Sequence, residues 1–121
     1  MPVRSLSSSV LTWPDARTVD QAVRRWAERV VRIQPEVIRI GYFGSYARGD
    51  WGPGSDLDVL MIVEGSEEPF ERRAAQWDTT DLPVAVELLL YTKAEWERLP
   101  QWGRFYRTVI RETIWVFDRG A

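Results

Sequence analysis

Apolar residues recur along this chain first at helical spacing and then in strand-length runs. Val19, Ala22, Val23, Trp26, Ala27, Val30 and Ile33 fall on one face of a 3.6-residue repeat, while Arg24, Arg25, Glu28, Arg29 and Arg32 lie largely elsewhere. Thr18 followed by Gln21 has the spacing of a capping box, and Pro35 closes the pattern, so a helix is predicted from Thr18 with a solvated arginine-rich face. Strands are predicted at about 37–43, 57–63 and 84–91, with a last short one at Ile114 to Phe117. The runs 57–63 and 84–91 are nearly continuously apolar, as in strands covered on both faces or packed tightly on one. Between them residues 67–77 favour a helix with Phe70, Ala74 and Trp77 along one side. Thr92, with Glu95 three residues on, caps a short helix through Leu99; Pro100 and Gly103 interrupt it, and residues 104–111 look helical again. Residues 1–16, which include Ser5 and the run Ser7 to Ser9, show no period and read as a loosely ordered leader. The remainder, 17–121, reads as a single α+β domain: a mixed sheet of about four strands with helices packed mainly on one face.

Composition narrows the chemistry. At 121 residues, 45% of them hydrophobic, the chain can bury one core and leaves no room for a second substrate-binding domain. A net charge of −2 gives no general pull toward nucleic acid. There is no cysteine and no histidine, which excludes disulfides, thiolate catalysis, Ser-His-Asp triads and the usual zinc sites. Any catalysis then runs on carboxylates and a hard cation. No apolar run approaches the ~20 residues of a membrane span and no signal-peptide core stands at the N-terminus, so a soluble cytoplasmic protein is expected. Seven tryptophans exceed what a small core usually buries; Trp13, Trp51, Trp77, Trp96 and Trp102 stand next to loops or helix ends, where such rings serve either an interface or the edge of the core.

Candidate chemistry concentrates between Phe43 and Val63. Gly44 and Ser45 end the 37–43 strand where it would turn into a helix, a place that offers free N–H groups and a hydroxyl to an anion. Ten residues later Asp56 and Asp58 stand one residue apart at the head of an apolar run. Alternation along a strand puts both on one face, where their oxygens can share a divalent cation. Carboxylates inside such runs are costly to bury, and a cation that neutralises them ties Asp56, Asp58 and Glu87, in the run Val84 to Tyr91, into one set. Arg48 can offset phosphate charge or form a surface salt bridge, and the Ser45 hydroxyl can bind phosphate or cap a helix. Asp50, in a Gly- and Pro-rich turn, and Asp78 and Asp81, in a polar connection, read as loop residues; Asp81 substitutes for Glu87 only if the strand register is misread.

The run Gly44-Ser45, ten residues, Asp56-x-Asp58 resembles the signature of the nucleotidyltransferase superfamily. Its Ser-Tyr-Ala-Arg-Gly and Ser-Asp-Leu-Asp wording is closest to the small prokaryotic minimal nucleotidyltransferases. The family carries a third carboxylate on a later strand, for which Glu87 is the match, although many relatives have Asp there. The resemblance implies that Asp56, Asp58 and Glu87 hold Mg²⁺ and serve catalysis, and that Gly44, Ser45, Arg48 and Ser55 contact the nucleotide. It also implies transfer of AMP from ATP to a hydroxyl of a HEPN-family toxin partner; whether the chain forms homo- or hetero-oligomers is left open by the sequence. Two alternatives stay open: a non-catalytic antitoxin-like binding module, and adenylylation of a small alcohol such as an aminoglycoside.

Overall fold

The computed structural model describes residues 13–120. The expected leader falls mostly on residues 1–12, outside the described ones. Helix α1 runs Ala16–Ile33, starting three residues earlier than a Thr18 cap would place it, because Asp15 is the cap: its Oδ1 accepts from Thr18 N at 2.8 Å. The buried side of α1 is Val19, Ala22, Val23, Trp26 and Ala27, as its periodicity requires. Arg24 and Arg29 on the outer side pair with Asp20 and Asp81, both at 2.8 Å.

Next come β1 (Val37–Phe43), a four-residue α2 (Ser45–Arg48) and β2 (Leu57–Val63). A short helix α3 (Phe70–Arg73) passes into a 3₁₀ turn over Ala74–Gln76. The continuous 67–77 helix does not form. Pro69 sits at its start as the cap residue and biases the residue before it away from helix, and the inward residue is Arg73 rather than Phe70. Then follow β3 (Val86–Thr92), α4 (Lys93–Arg98), α5 (Arg104–Glu112) and β4 (Ile114–Asp118). The Thr92–Glu95 capping box forms in both directions.

The strands make one mixed sheet in the order β3-β2-β1-β4, with β1 antiparallel to β2 and β4 and with β2 parallel to β3. This is the expected α+β architecture. Leu57, Val59, Met61 and Val63 join Leu88, Leu90, Ile40 and the inner face of α1 in one hydrophobic core. Leu60 and Ile62 point the other way and are also buried, so β2 is covered on both faces. Its partner β3 is an edge strand.

Over the second face runs a chain of aromatic rings: Tyr91 meets Phe70, Trp96 and Phe105 at 5.1–6.1 Å between centroids, and Trp96 meets Tyr106 and Trp115. Gly41 makes room for this, since a Cβ there would lie 2.8 Å from the Trp115 ring. Most tryptophans therefore do packing work. Trp51 stacks on Tyr46 at 5.6 Å, Trp13 donates to the Tyr46 hydroxyl at 2.9 Å, and only Trp102, 80% exposed, is a large exposed tryptophan among the described residues. At the end of the sheet farthest from the acidic motif, Arg73 is buried and bonded to Leu90 O and to both oxygens of Glu95, at 2.6 and 3.0 Å. No described helix is long and apolar enough to cross a membrane.

Candidate active site

The last residue of β1 and the first residues of β2 and β3 meet at one end of the sheet. Asp58 pairs laterally with Phe43 on its antiparallel side and with Glu87 on its parallel side. Lateral partners share a face, so the Asp58 and Glu87 side chains leave the sheet on the same side, the side of the aromatic rings. Phe43 stands beside them and packs edge-on against Phe105 of α5 at 6.4 Å. Asp56 precedes β2 by one residue, outside the strand, close enough for its charge to act on Asp58.

Electrostatics ties the three acids together. The Asp58 carboxyl is pushed above the usual carboxylate range, first by its partial burial and then by the charges of Glu87 and Asp56, with Arg48 opposing and Glu112 adding. Asp58 is half-buried, whereas Asp56 and Glu87 are exposed. The burial that the apolar runs implied for all three acids therefore holds only for Asp58, because Asp56 lies outside the strand and Glu87 sits near the open end of an edge strand. Among the described residues no three acidic side chains are close enough, as they stand, to hold a metal ion. The donor chemistry nevertheless fits one. These are hard oxygen ligands, Asp58 and Glu87 set on one face by strand register, with an unfavourable mutual field that a divalent cation would reverse.

Gly44 closes the site from the side of β1. Its φ of +81° and ψ of −154° belong to glycine, and a Cβ there would lie 2.2 Å from Asp58 Oδ2. The loop backbone thus presses directly on the central carboxylate, a contact only glycine permits. Gly44, not Ser45, is the cap residue of α2, and no side chain completes that cap. The Gly44 carbonyl accepts from Ala47 N and Arg48 N at 3.0 and 2.9 Å, which closes the single turn of α2. Arg48 ion-pairs with Asp50 at 3.0 Å and with Glu112 at 3.3 Å, so the salt-bridge reading of this arginine describes the structure as it stands. The Ser55 hydroxyl accepts from Gly52 N at 2.8 Å and closes the Gly-Pro-Gly turn that leads into Asp56.

Asp81 stays away from this cluster, paired to Arg29 on α1, and Asp78 is held by Thr80 N and Oγ1. Glu112, the last residue of α5, is the site residue that sequence reasoning missed. Its Oε1 accepts from Gly44 N and from Arg48 Nη1, each at 3.3 Å. No local signal marked it, because it meets Gly44 across 68 positions of sequence. The cavity of about 230 Å³ lined by Val63, Arg73, Trp77 and Leu90 contains none of these acids.

The family model described as "Nucleotidyltransferase domain" matches residues 23–116. No curated protein matches the chain. Among solved structures it is similar to a presumed nucleotidyltransferase from Sulfolobus solfataricus, with TM-score 0.61 and 20% identity over 87% of this chain and 85% of that one. It is also similar to a toxin–antitoxin solved with AMP-PNP, with TM-score 0.58 and 18% identity over 78% of this chain and 73% of the other. A mutant of the toxin–antitoxin MntA-HpeT gives TM-score 0.55 and 15% identity over 78% and 72%. At these identities the likeness is one of fold.

Proposed function

The chain belongs to the nucleotidyltransferase domain family, and from that premise we propose that it transfers AMP from ATP to a hydroxyl of a HEPN-family protein, as the antitoxin of a toxin–antitoxin pair. The observation that carries the reading is the shared face of Asp58 and Glu87 at the sheet end, with Gly44 pressed against Asp58. Asp56, Asp58 and Glu87 would hold Mg²⁺, which when bound neutralises phosphate charge and acidifies a nearby hydroxyl.

The remaining roles belong to the chain's own groups. Gly44 N–H and the Arg48 guanidinium face the triphosphate as donors, and Ser45 and Ser55 border it. The acceptor oxygen attacks the α-phosphorus, the bond from that phosphorus to the β-phosphate oxygen breaks, and pyrophosphate leaves with its electron pair. The hydroxyl proton passes to a Glu87 carboxylate oxygen, which is exposed and so within reach of an acceptor carried by another protein. The toxin–antitoxin neighbours, one solved with an ATP analogue, support this choice of nucleotide and partner over a small-molecule acceptor.

The test is incubation with a HEPN-family protein, Mg²⁺ and ATP labelled at either the α or the γ position. The α label should move to the HEPN protein and the γ label should not, and the double variant Asp56→Asn, Asp58→Asn should abolish transfer. Undiminished labelling by that variant would refute the site. Suppression of the toxin with no transfer by the wild type would replace catalysis with plain complex formation.

A further inference from the structure

Glu112 stands on the two donors that the proposed reaction needs for phosphate. Its Oε1 accepts from Gly44 N–H and from Arg48 Nη1, and its side chain is only 17% exposed. The Gly44 N–H is a single donor and cannot serve two anions at full strength, and Nη1 of Arg48 is turned to the same carboxylate. We propose that Glu112 is a built-in competitor of the nucleotide: triphosphate binds by displacing this carboxylate, and Glu112 thereby sets the affinity of the site. The inference rests on the nucleotide-binding reading above.

Three features favour displacement over a permanent structural bond. Both Glu112 contacts are 3.3 Å, longer than the 2.7–3.2 Å of well-formed N–H···O bonds, so little is lost when they open. The backbone at Glu112 is fixed independently, because Thr113 N donates to Val109 O at 2.9 Å, so the side chain can swing away while α5 stays in place. Asp50 holds Arg48 from the other side through Nε at 3.0 Å, so the guanidinium remains at the site after Glu112 leaves.

Charge works in the same direction. Glu112 adds a negative charge to the field around Asp58, in which Asp56 and Glu87 already stand. An arriving triphosphate intensifies that repulsion, and the departure of Glu112 relieves it. The carboxylate thus keeps Gly44 N–H and Arg48 paired in the free protein and gives them up to a ligand of the same sign but higher charge.

Titration calorimetry with ATP, in EDTA and in Mg²⁺, tests this on the wild type, Glu112→Gln and Glu112→Asp. The first variant removes the charge at constant shape, and the second retracts the carboxylate while keeping its charge, so one remains informative if the other fails to fold. The expected result is that Glu112→Gln binds ATP about 10-fold tighter than wild type in EDTA, with a smaller gain for Glu112→Asp. In an Arg48→Ala background the Gln substitution should give a smaller gain, an outcome that a merely structural Glu112 would not produce. If the wild type binds ATP and both Glu112 variants bind it equally or more weakly, the competitor role is overturned and the nucleotide site stands. If no protein binds ATP even with Mg²⁺, the nucleotide reading falls and this inference falls with it.

Discussion

Replacing Gly44 by alanine tests the geometry on which the site depends. The backbone at φ +81°, ψ −154° lies in a region that is essentially glycine-only, and holding another residue there costs about 1–3 kcal/mol. The new methyl would also sit 2.2 Å from Asp58 Oδ2 and must push that carboxylate aside, an overpacking effect of about 1–3 kcal/mol. Asp58 is short and hemmed in by Phe43 and Glu87 as lateral neighbours, so rotation relieves only part of this. Gly44→Ala should therefore destabilise the fold by about 2–5 kcal/mol, a large share of the roughly 5–15 kcal/mol typical of a domain. The two contributions separate in a double-mutant cycle. In an Asp58→Ala background the clash is gone but the backbone strain persists, so Gly44→Ala should cost about 1–2 kcal/mol less there than in the wild type. Urea denaturation followed by circular dichroism in metal-free buffer measures all four proteins. A Gly44→Ala cost below about 0.5 kcal/mol, or a cycle with no coupling, would contradict the claimed contact.

Other consequences follow from the charged groups. Asp58 has its carboxyl raised by burial and by Glu87 and Asp56, so its ionised form is penalised in the fold; that penalty is absent below the ordinary carboxylate range and complete above the raised value. Asp58→Asn should therefore stabilise the metal-free protein at pH 7, with the gain vanishing toward pH 3, and urea midpoints at the two pH values check this. Glu95 is the opposite case: its bonds with Arg73 lower it to about 2 from an ordinary 4.5, so its stabilisation is present above pH 4.5 and is lost as the pH falls through about 2. Leaving the buried Arg73 without its partner by Glu95→Gln should cost about 2–3 kcal/mol, below the usual range for a buried pair because Glu95 is about one-third exposed. The variant's stability should also lose the wild type's dependence on pH in that window, as acid denaturation profiles would record.

What could be read from the sequence and what could not divide along the range of the interactions. β1 and β2 run where the apolar segments placed them, since Gly44 and Gly65 bound those segments locally and β2 is buried on both faces. The Thr92–Glu95 cap was legible for the same reason, because both partners lie within one turn. The start of α1 was misplaced by a competition between two caps three residues apart, which Asp15 wins. The 67–77 helix was overread because its apolar spacing ignores Pro69 and the demand of the buried Arg73 for an acidic partner on α4. In the site, the spacing from Gly44 to Asp58 was visible as a motif, but the direct contact between them depends on how β1 and β2 pair. Glu112 was invisible because it meets Gly44 across 68 positions of sequence. Its pairing depends on β4 lying beside β1, which no local pattern encodes.

The central claim is that one sheet end gathers Asp56, Asp58 and Glu87 around a divalent ion beside Gly44. Crystals grown with Mn²⁺ and a non-hydrolysable ATP analogue measure this directly through anomalous scattering. The account predicts a manganese peak within about 2.5 Å of carboxylate oxygens of Asp56 and Asp58, with Glu87 completing the set and the triphosphate against Gly44 N–H. A peak held elsewhere, or a triphosphate bound away from Gly44, would contradict it.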